Sequence, residues 1–313
     1  MLTRFFSNLR VESLALALAM SYFISALIWL PQLQVTQITP TVFGFITLPT
    51  TLIKTLAFST LPLISLLLTA TLNHIGLIKK NFIAQVLISA LLTLGFHYTP
   101  QVNFIVLSLI SVWMARELLS LGGAARFEEP LFKGGLLIGL YLIFIPQAWL
   151  LLACYLVALI AYGGVQLRYF ILPFFGAGAF LVNLFLWPYL LNFPLDIEQF
   201  TTNLTPQFSG FDHVEKAPYF LLSLFALCVL EYLSGLSKAK IVKRQFMGVV
   251  IYNILLATLA FILLDGALYW FAPGLVFGSV LLANSVNYLE NRWLKDLLFI
   301  SPVAYTIIVY VWF

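Results

Sequence analysis

An all-α bundle of transmembrane helices is the fold class this chain predicts, and three observations carry the prediction. Hydrophobic residues make up 62% of the chain and charged residues 9%, whereas roughly a quarter of a soluble domain is charged. Mean hydropathy is +1.02. Apolar runs recur from end to end with short polar breaks, so one transmembrane domain, residues 1–313, accounts for the whole chain.

The elements follow in order. Leu2, Phe5, Phe6 and Leu9 fall at helical spacing beside Arg4 and Arg10, the pattern of a short helix on an anionic leaflet. A frayed basic N-terminus fits the same residues. Ser13 to Leu30 is long for a signal-peptide core and no small-x-small site follows, so it reads as an uncleaved first span. With it, about eleven hydrophobic segments are predicted, the others near 56–76, 82–96, 103–120, 134–146, 148–163, 169–191, 218–237, 246–264, 267–288 and 297–313. A crossing takes roughly 20 apolar residues for a hydrocarbon core of roughly 30 Å. Most segments qualify. Segment 82–96 is short, and 134–163 is too short for two full crossings.

Basic residues decide how 134–163 folds, because they collect on the cytoplasmic side. If Pro146 marks the turn of a half-length helical hairpin, all but Lys54 and Lys216 of the 16 basic residues share one side. If 134–163 is one helix kinked at Pro146, they divide evenly. The hairpin is therefore predicted, with the N-terminus cytoplasmic and the C-terminus outside. Gly135-x-x-x-Gly139 beside it, and Gly274-x-x-x-Gly278 later, are small-xxx-small faces expected to pack within the chain.

Two outer-face loops are expected, about 31–55 and 192–217. The second holds Asp196, Glu198, Asp212, His213, Glu215 and Lys216. Its acidic residues and His213 are the candidate acid–base groups for catalysis, or members of a solvated structural loop. Inside the membrane an ionisable residue is costly and so points to function. Glu231 is that residue, with Asn253, Asn284 and Asn287 as possible intramembrane polar company. Together they could shuttle a proton, bind a cation, or simply tie helices together. Arg116, Arg126, Lys133 and Arg168 could contact phosphate head groups or serve as positive-inside anchors.

Other chemistry is not signalled. The net charge of +4 comes from residues at segment ends, so no nucleic-acid partner is expected. Cys154 and Cys228 sit in apolar runs, and His74 and His97 stand alone, so no metal site is expected. No phosphate-binding loop, dinucleotide fingerprint, G-x-S-x-G or H-E-x-x-H occurs, and no cofactor is implied.

The runs F-E-E-P-L-F-K-G-G-L-L-I-G-L-Y-L-I-F-I-P, L-R-Y-F-I-L-P-F-F-G and E-Y-L-S-G-L-S-K-A-K-I-V-K-R resemble a polytopic membrane family of Bacteroidota, catalogued as domain of unknown function 6427. That resemblance implies a bacterial inner (cytoplasmic) membrane location and no assigned activity. The Gly-rich helix, Pro-containing turn, second apolar helix and basic end also resemble the scaffold of GT-C lipid-linked glycosyltransferases. Those enzymes generally carry an acidic residue in the first outer loop, and residues 31–55 contain no Asp or Glu.

The leading expectation is a non-enzymatic, multi-pass inner-membrane subunit in envelope biogenesis or transport, packing against lipid or a partner membrane protein. The alternatives are a GT-C-like or polymerase-like enzyme acting on a polyprenyl-linked glycan, and a proton- or ion-coupled transporter using Glu231. No internal inverted repeat is visible to support the transporter.

Overall fold

The computed structural model describes residues 11–29, 49–78, 82–123, 127–164, 166–190, 219–234, 241–263, 270–289 and 291–312. Every regular element among them is helical, so the chain is an all-α bundle. The α-helices are α1 (Val11–Ala26), α2 (Thr50–Ile75), α3 (Ile83–Tyr98), α4 (Val102–Ser120), α5 (Glu128–Leu142), α6 (Leu152–Tyr162), α7 (Leu167–Leu190), α8 (Tyr219–Ser234), α9 (Ile241–Leu263), α10 (Phe271–Tyr288) and α11 (Arg292–Trp312). These eleven correspond one to one with the predicted hydrophobic segments.

Full spanning length is rarer than the hydropathy suggests. Among the described residues five helices are long and apolar enough to cross a membrane: Thr50–Ile75, Val102–Gly123, Leu167–Leu186, Lys243–Ile262 and Arg292–Val311. Helix α3 is short for a local reason. Pro100 disfavours the α conformation at Thr99, which leaves the helix at φ −131°, ψ 71°.

Two short helices form the centre. In α3 every residue from Ile83 to Phe96 is buried, and in α10 every residue from Phe271 to Asn287 except Gly274. A helix that is apolar all round belongs inside a bundle or in lipid. Small and hydroxyl residues (Ala84, Ser89, Ala90, Thr93, Gly95) select the interior for α3, because they allow close approach. Leu275 of α10 packs on Gly95, and Tyr98 meets Phe271 at a ring-centroid distance of 5.8 Å, so the two helices run antiparallel.

Helices α1 and α11 run parallel to α3. Ser89 Oγ donates to Ser21 O at 3.3 Å, and the Ser25 and Thr93 hydroxyls lie 3.4 Å apart. From α11, Thr306 Oγ1 donates to Ala90 O at 3.2 Å and Tyr310 Oη to Thr93 O at 2.8 Å.

Helices α5 and α6 form a hairpin. Tyr155 packs on Gly134, and the Phe127 ring lies against Gly164, contacts possible only if the chain doubles back between them. The turn comes earlier than Pro146. Helix α5 ends at Leu142, and Ile145 is extended at φ −136°, ψ 101°, as the residue before a proline prefers. A 3-10 segment, Pro146–Leu151, then leads into α6. Gly163, at φ +78° in the left-handed region, ends α6. The first limb begins at Glu128, not Gly134, which brings Glu128, Glu129 and Lys133 into the helix. Acidic residues in a first turn complement the helix dipole. At 15 residues, α5 is about 22 Å long.

Helix α7 then returns alongside α5. Gly135 abuts the Pro173 carbonyl, Gly176 abuts Phe132 O and Leu136 N, and Gly139 abuts Ala177 and Phe180. The register holds from the Glu128–Arg168 ion pair to the Gly139–Phe180 contact, so α5 and α7 run parallel. A single kinked helix over 134–163 would have delivered α7 antiparallel. Both small-xxx-small faces pack within the chain: Gly278 meets Phe225 of α8, and Gly274 meets Ala257 of α9.

Candidate functional site

Glu231 lies near the end of α8, half-buried. The Tyr232 hydroxyl donates to Arg244 O at 3.3 Å, tying the last turn of α8 to the first turn of α9. Phe225 packs on Gly278 and, further along both helices, Cys228 meets Ser285, so α8 and α10 run side by side in the same direction. Carrying these contacts onward puts Glu231 level with the turn from Asn284 to Tyr288.

The three asparagines are all buried, but they occupy two levels. Contacts of Ala257 with Gly274, and of Lys243 with the Tyr288 ring at 3.1 Å, set the antiparallel register of α9 and α10. That register puts Asn253 level with Gly278, which is about 9 Å along the axis from Asn284 at 1.5 Å per residue. Asn253 Nδ2 donates to Val249 O at 2.8 Å and Asn287 Nδ2 to Ala283 O at 2.7 Å, each to its own helix. The amide oxygens of Asn253 and Asn284 accept no hydrogen bond. Glu231 therefore shares a level with Asn284 and Asn287, while Asn253 belongs to a layer deeper in the bundle.

Further interior polar groups accompany them. Gln85 is fully buried and neither amide atom has a partner, and Asn103 Nδ2 is likewise unpaired. Gln85 begins a series with Ser89, Thr93 and His97, one polar residue every four along α3. That i, i+4 spacing in an apolar helix is the signal from which its interior position could have been read.

The charged cluster forms where α5 and α7 begin. Arg168 pairs with Glu128 at 3.2 Å, donates Nε to Gln166 Oε1 at 3.0 Å and Nη2 to the Tyr169 hydroxyl at 2.6 Å, and lies 4.6 Å from the centre of that ring. Lys133 pairs with Glu129 one turn earlier. The Lys133 hydrogen bond holds the Glu129 carboxyl below its ordinary value, and Glu129 holds the Lys133 amine above its own. Of the basic residues expected at head groups, Lys133 and Arg168 thus already have carboxylate partners, and Arg116 is exposed. Arg126 lies outside the described residues, as do Asp196, Glu198, Asp212, His213 and Glu215.

Among the described residues, no three His, Cys, Asp or Glu side chains group as metal ligands would. Cys154 and Cys228 are buried free thiols. Chemically, the interior offers amides and hydroxyls that can hydrogen-bond a neutral carboxylic acid or a polar solute. No family model, curated protein or solved structure matches the chain.

Proposed function

We propose that the chain is a non-enzymatic integral subunit of a bacterial inner membrane, serving envelope biogenesis or transport, and that α7 is the helix through which it packs against a partner membrane protein. One observation carries this reading: Asn183 is exposed in the middle of an apolar helix. Its Nδ2 donates to Ala179 O at 2.8 Å within the helix, which leaves the amide oxygen and one N–H toward the surroundings. Asn183 lies roughly 7 Å from the midpoint of α7, inside a hydrocarbon core of roughly 30 Å. An amide there gains about 0.5–2 kcal/mol by hydrogen-bonding a second helix.

The rest of that face supports a helix partner. Of the five long apolar helices α7 is the least enclosed, with 22% of its span buried. Its exposed residues include Ile171, Phe174, Phe175, Val182 and Leu186, around Gly178, where an added Cβ would meet nothing within 4 Å. Large residues around a small one form a surface into which a neighbouring helix fits.

The test is in-membrane photocrosslinking from Phe175 and Val182, with Leu255 on α9 as the control. Expected is one discrete protein adduct from the α7 positions, weakened by Asn183→Leu, and lipid adducts alone from Leu255. Lipid adducts alone from all three positions would reject the reading. The position of Glu231 level with the buried Asn284–Asn287 turn favours the transporter as the second reading, and its test is given below.

A further inference from the structure

Helix α4 shows one narrow side to its surroundings. Helices α2, α5 and α10 pack on it, and the residues they leave uncovered, Val106, Leu109, Trp113 and Arg116 among them, recur every three or four positions. That spacing makes a single stripe, one side chain wide, along the helix. Val102–Gly123 is long and apolar enough to cross a membrane, so the stripe meets lipid.

Two polar groups at the end of the stripe say which lipid atoms they meet. Arg116 is exposed, and among the described residues its guanidinium has no ion pair or hydrogen bond. Trp113 is 46% exposed, and its indole N–H has no acceptor among the described residues either. Both donors therefore face outward unspent. Neighbouring charges leave Arg116 available: Lys133 is paired with Glu129, and Glu117, within electrostatic range of Arg116, is half-buried and makes no ion pair with it. Arg116 lies at the end of the span and Trp113 one turn nearer its middle, about 4.5 Å deeper. A phospholipid presents its acceptors in the same order, an anionic phosphate at the surface and ester carbonyls just below it.

We propose that this end of α4 is a phospholipid site: Arg116 donates to the phosphate, the Trp113 N–H donates to an ester carbonyl, and an acyl chain lies along Leu109 and Val106. A guanidinium matches phosphate in charge and in geometry. An indole suits the membrane–water boundary because its ring is apolar and its N–H is a donor. The site is independent of α7 and of any partner that α7 binds.

Native mass spectrometry of the full chain in detergent tests this, with phosphatidylglycerol, a diacylglycerol of the same acyl chains, and inorganic phosphate as probes. One phosphatidylglycerol should be held more tightly than any further copies and more tightly than the diacylglycerol. Arg116→Gln should weaken it roughly tenfold or more, as the loss of a charged hydrogen bond does, and Arg116→Lys should weaken it less. Trp113→Phe keeps an aromatic ring, removes the N–H, and should cost a smaller factor. Both residues are exposed, so these variants should fold. Arg292→Gln is the control: Arg292 is also exposed at a helix end, but its Trp neighbour, Trp293, is adjacent in sequence and not one turn away. It should change nothing. Equal losses in Arg116→Gln and Arg292→Gln would overturn the proposal, by showing general electrostatic anchoring. Diacylglycerol held as tightly as phosphatidylglycerol, or no lipid held by the wild type, would overturn it too. Displacement of the lipid by inorganic phosphate alone would also overturn it, by assigning Arg116 to a soluble anion.

Discussion

At the scale of single residues, the glycines of α5 and α7 bear the closest packing. A Cβ at Gly135 would strike the backbone of Pro173, which cannot turn aside as a side chain can. Gly135→Ala should therefore lower stability by about 1–3 kcal/mol, the usual range for overpacking. Gly248 is a natural control: it is exposed on α9 with nothing within 4 Å of an added Cβ. Gly248→Ala should hold or raise stability, by about 0.5–1 kcal/mol for a glycine in a helix interior. Thermal unfolding of the two variants in one detergent compares them directly, and equal losses would show that the α5–α7 contact is looser than described.

Asn253 allows a second test. Its amide oxygen is buried without a donor, so replacing the side chain by one of similar size removes an unmet demand. Asn253→Leu should leave the melting temperature unchanged or higher. A clear fall would mean that Asn253 has a partner that matters.

For Glu231 the informative change is to glutamine, which keeps the shape and removes the proton. If Glu231 moves a proton, Glu231→Gln loses the pH dependence of whatever flux the protein supports while remaining folded. If it only ties α8 to its neighbours, the variant matches the wild type at every pH.

The Glu129–Lys133 pair gives a pH test with a definite sign. The lowered Glu129 value favours the folded state above the ordinary carboxylate range and is lost as pH falls through it. The raised Lys133 value does so below the ordinary amine range and is lost as pH rises through it. The pair's contribution therefore spans neutral pH. Both groups are exposed, so screening leaves it small, and Lys133→Gln should not measurably change the melting temperature near pH 7.

At the scale of elements, the α5–α6 hairpin was legible because two independent signals agreed: the side on which Lys and Arg collect, and Pro146. Its starting point was not, because a count of apolar residues passes over Glu128-Glu129-Pro130, although acidic residues and a proline are ordinary first-turn residues. The central position of α3 and α10 was hidden for another reason. Lipid and protein interior are equally apolar, so hydropathy cannot distinguish a helix that faces one from a helix that faces the other. Ser89, Thr93 and Gly95 did carry that information, through size rather than hydropathy. The candidate site was legible in part: Glu231 lies level with the Asn284–Tyr288 turn, but the separate layer of Asn253 depends on a register that only the contacts of Ala257 with Gly274 and of Lys243 with Tyr288 reveal. The parallel course of α5 and α7 is open to a direct check. Cysteines at Glu128 and Arg168, whose side chains now meet at 3.2 Å, should be joined by a short thiol crosslinker. The single kinked helix would hold them at opposite ends of the bundle and give no product.

At the scale of the whole molecule, the contacts fix the relative directions of several sets of helices. Helices α1, α3 and α11 are mutually parallel, α10 is antiparallel to α3, and α5 is parallel to α7. These directions agree with a chain in which α5 and α6 together return to the side they left, so that the other nine helices alternate. If the positive residues are cytoplasmic, as we propose, Val11 is expected near the cytoplasmic face and Trp312 near the outer one. The most direct test joins either of two reporters after Phe313: alkaline phosphatase, active only outside the cytoplasm, or green fluorescent protein, fluorescent only within it. An active phosphatase and a dark fluorescent fusion are the predicted result. A bright fluorescent fusion in the membrane fraction, with inactive phosphatase, would contradict the account, because it places the end of α11 in the cytoplasm.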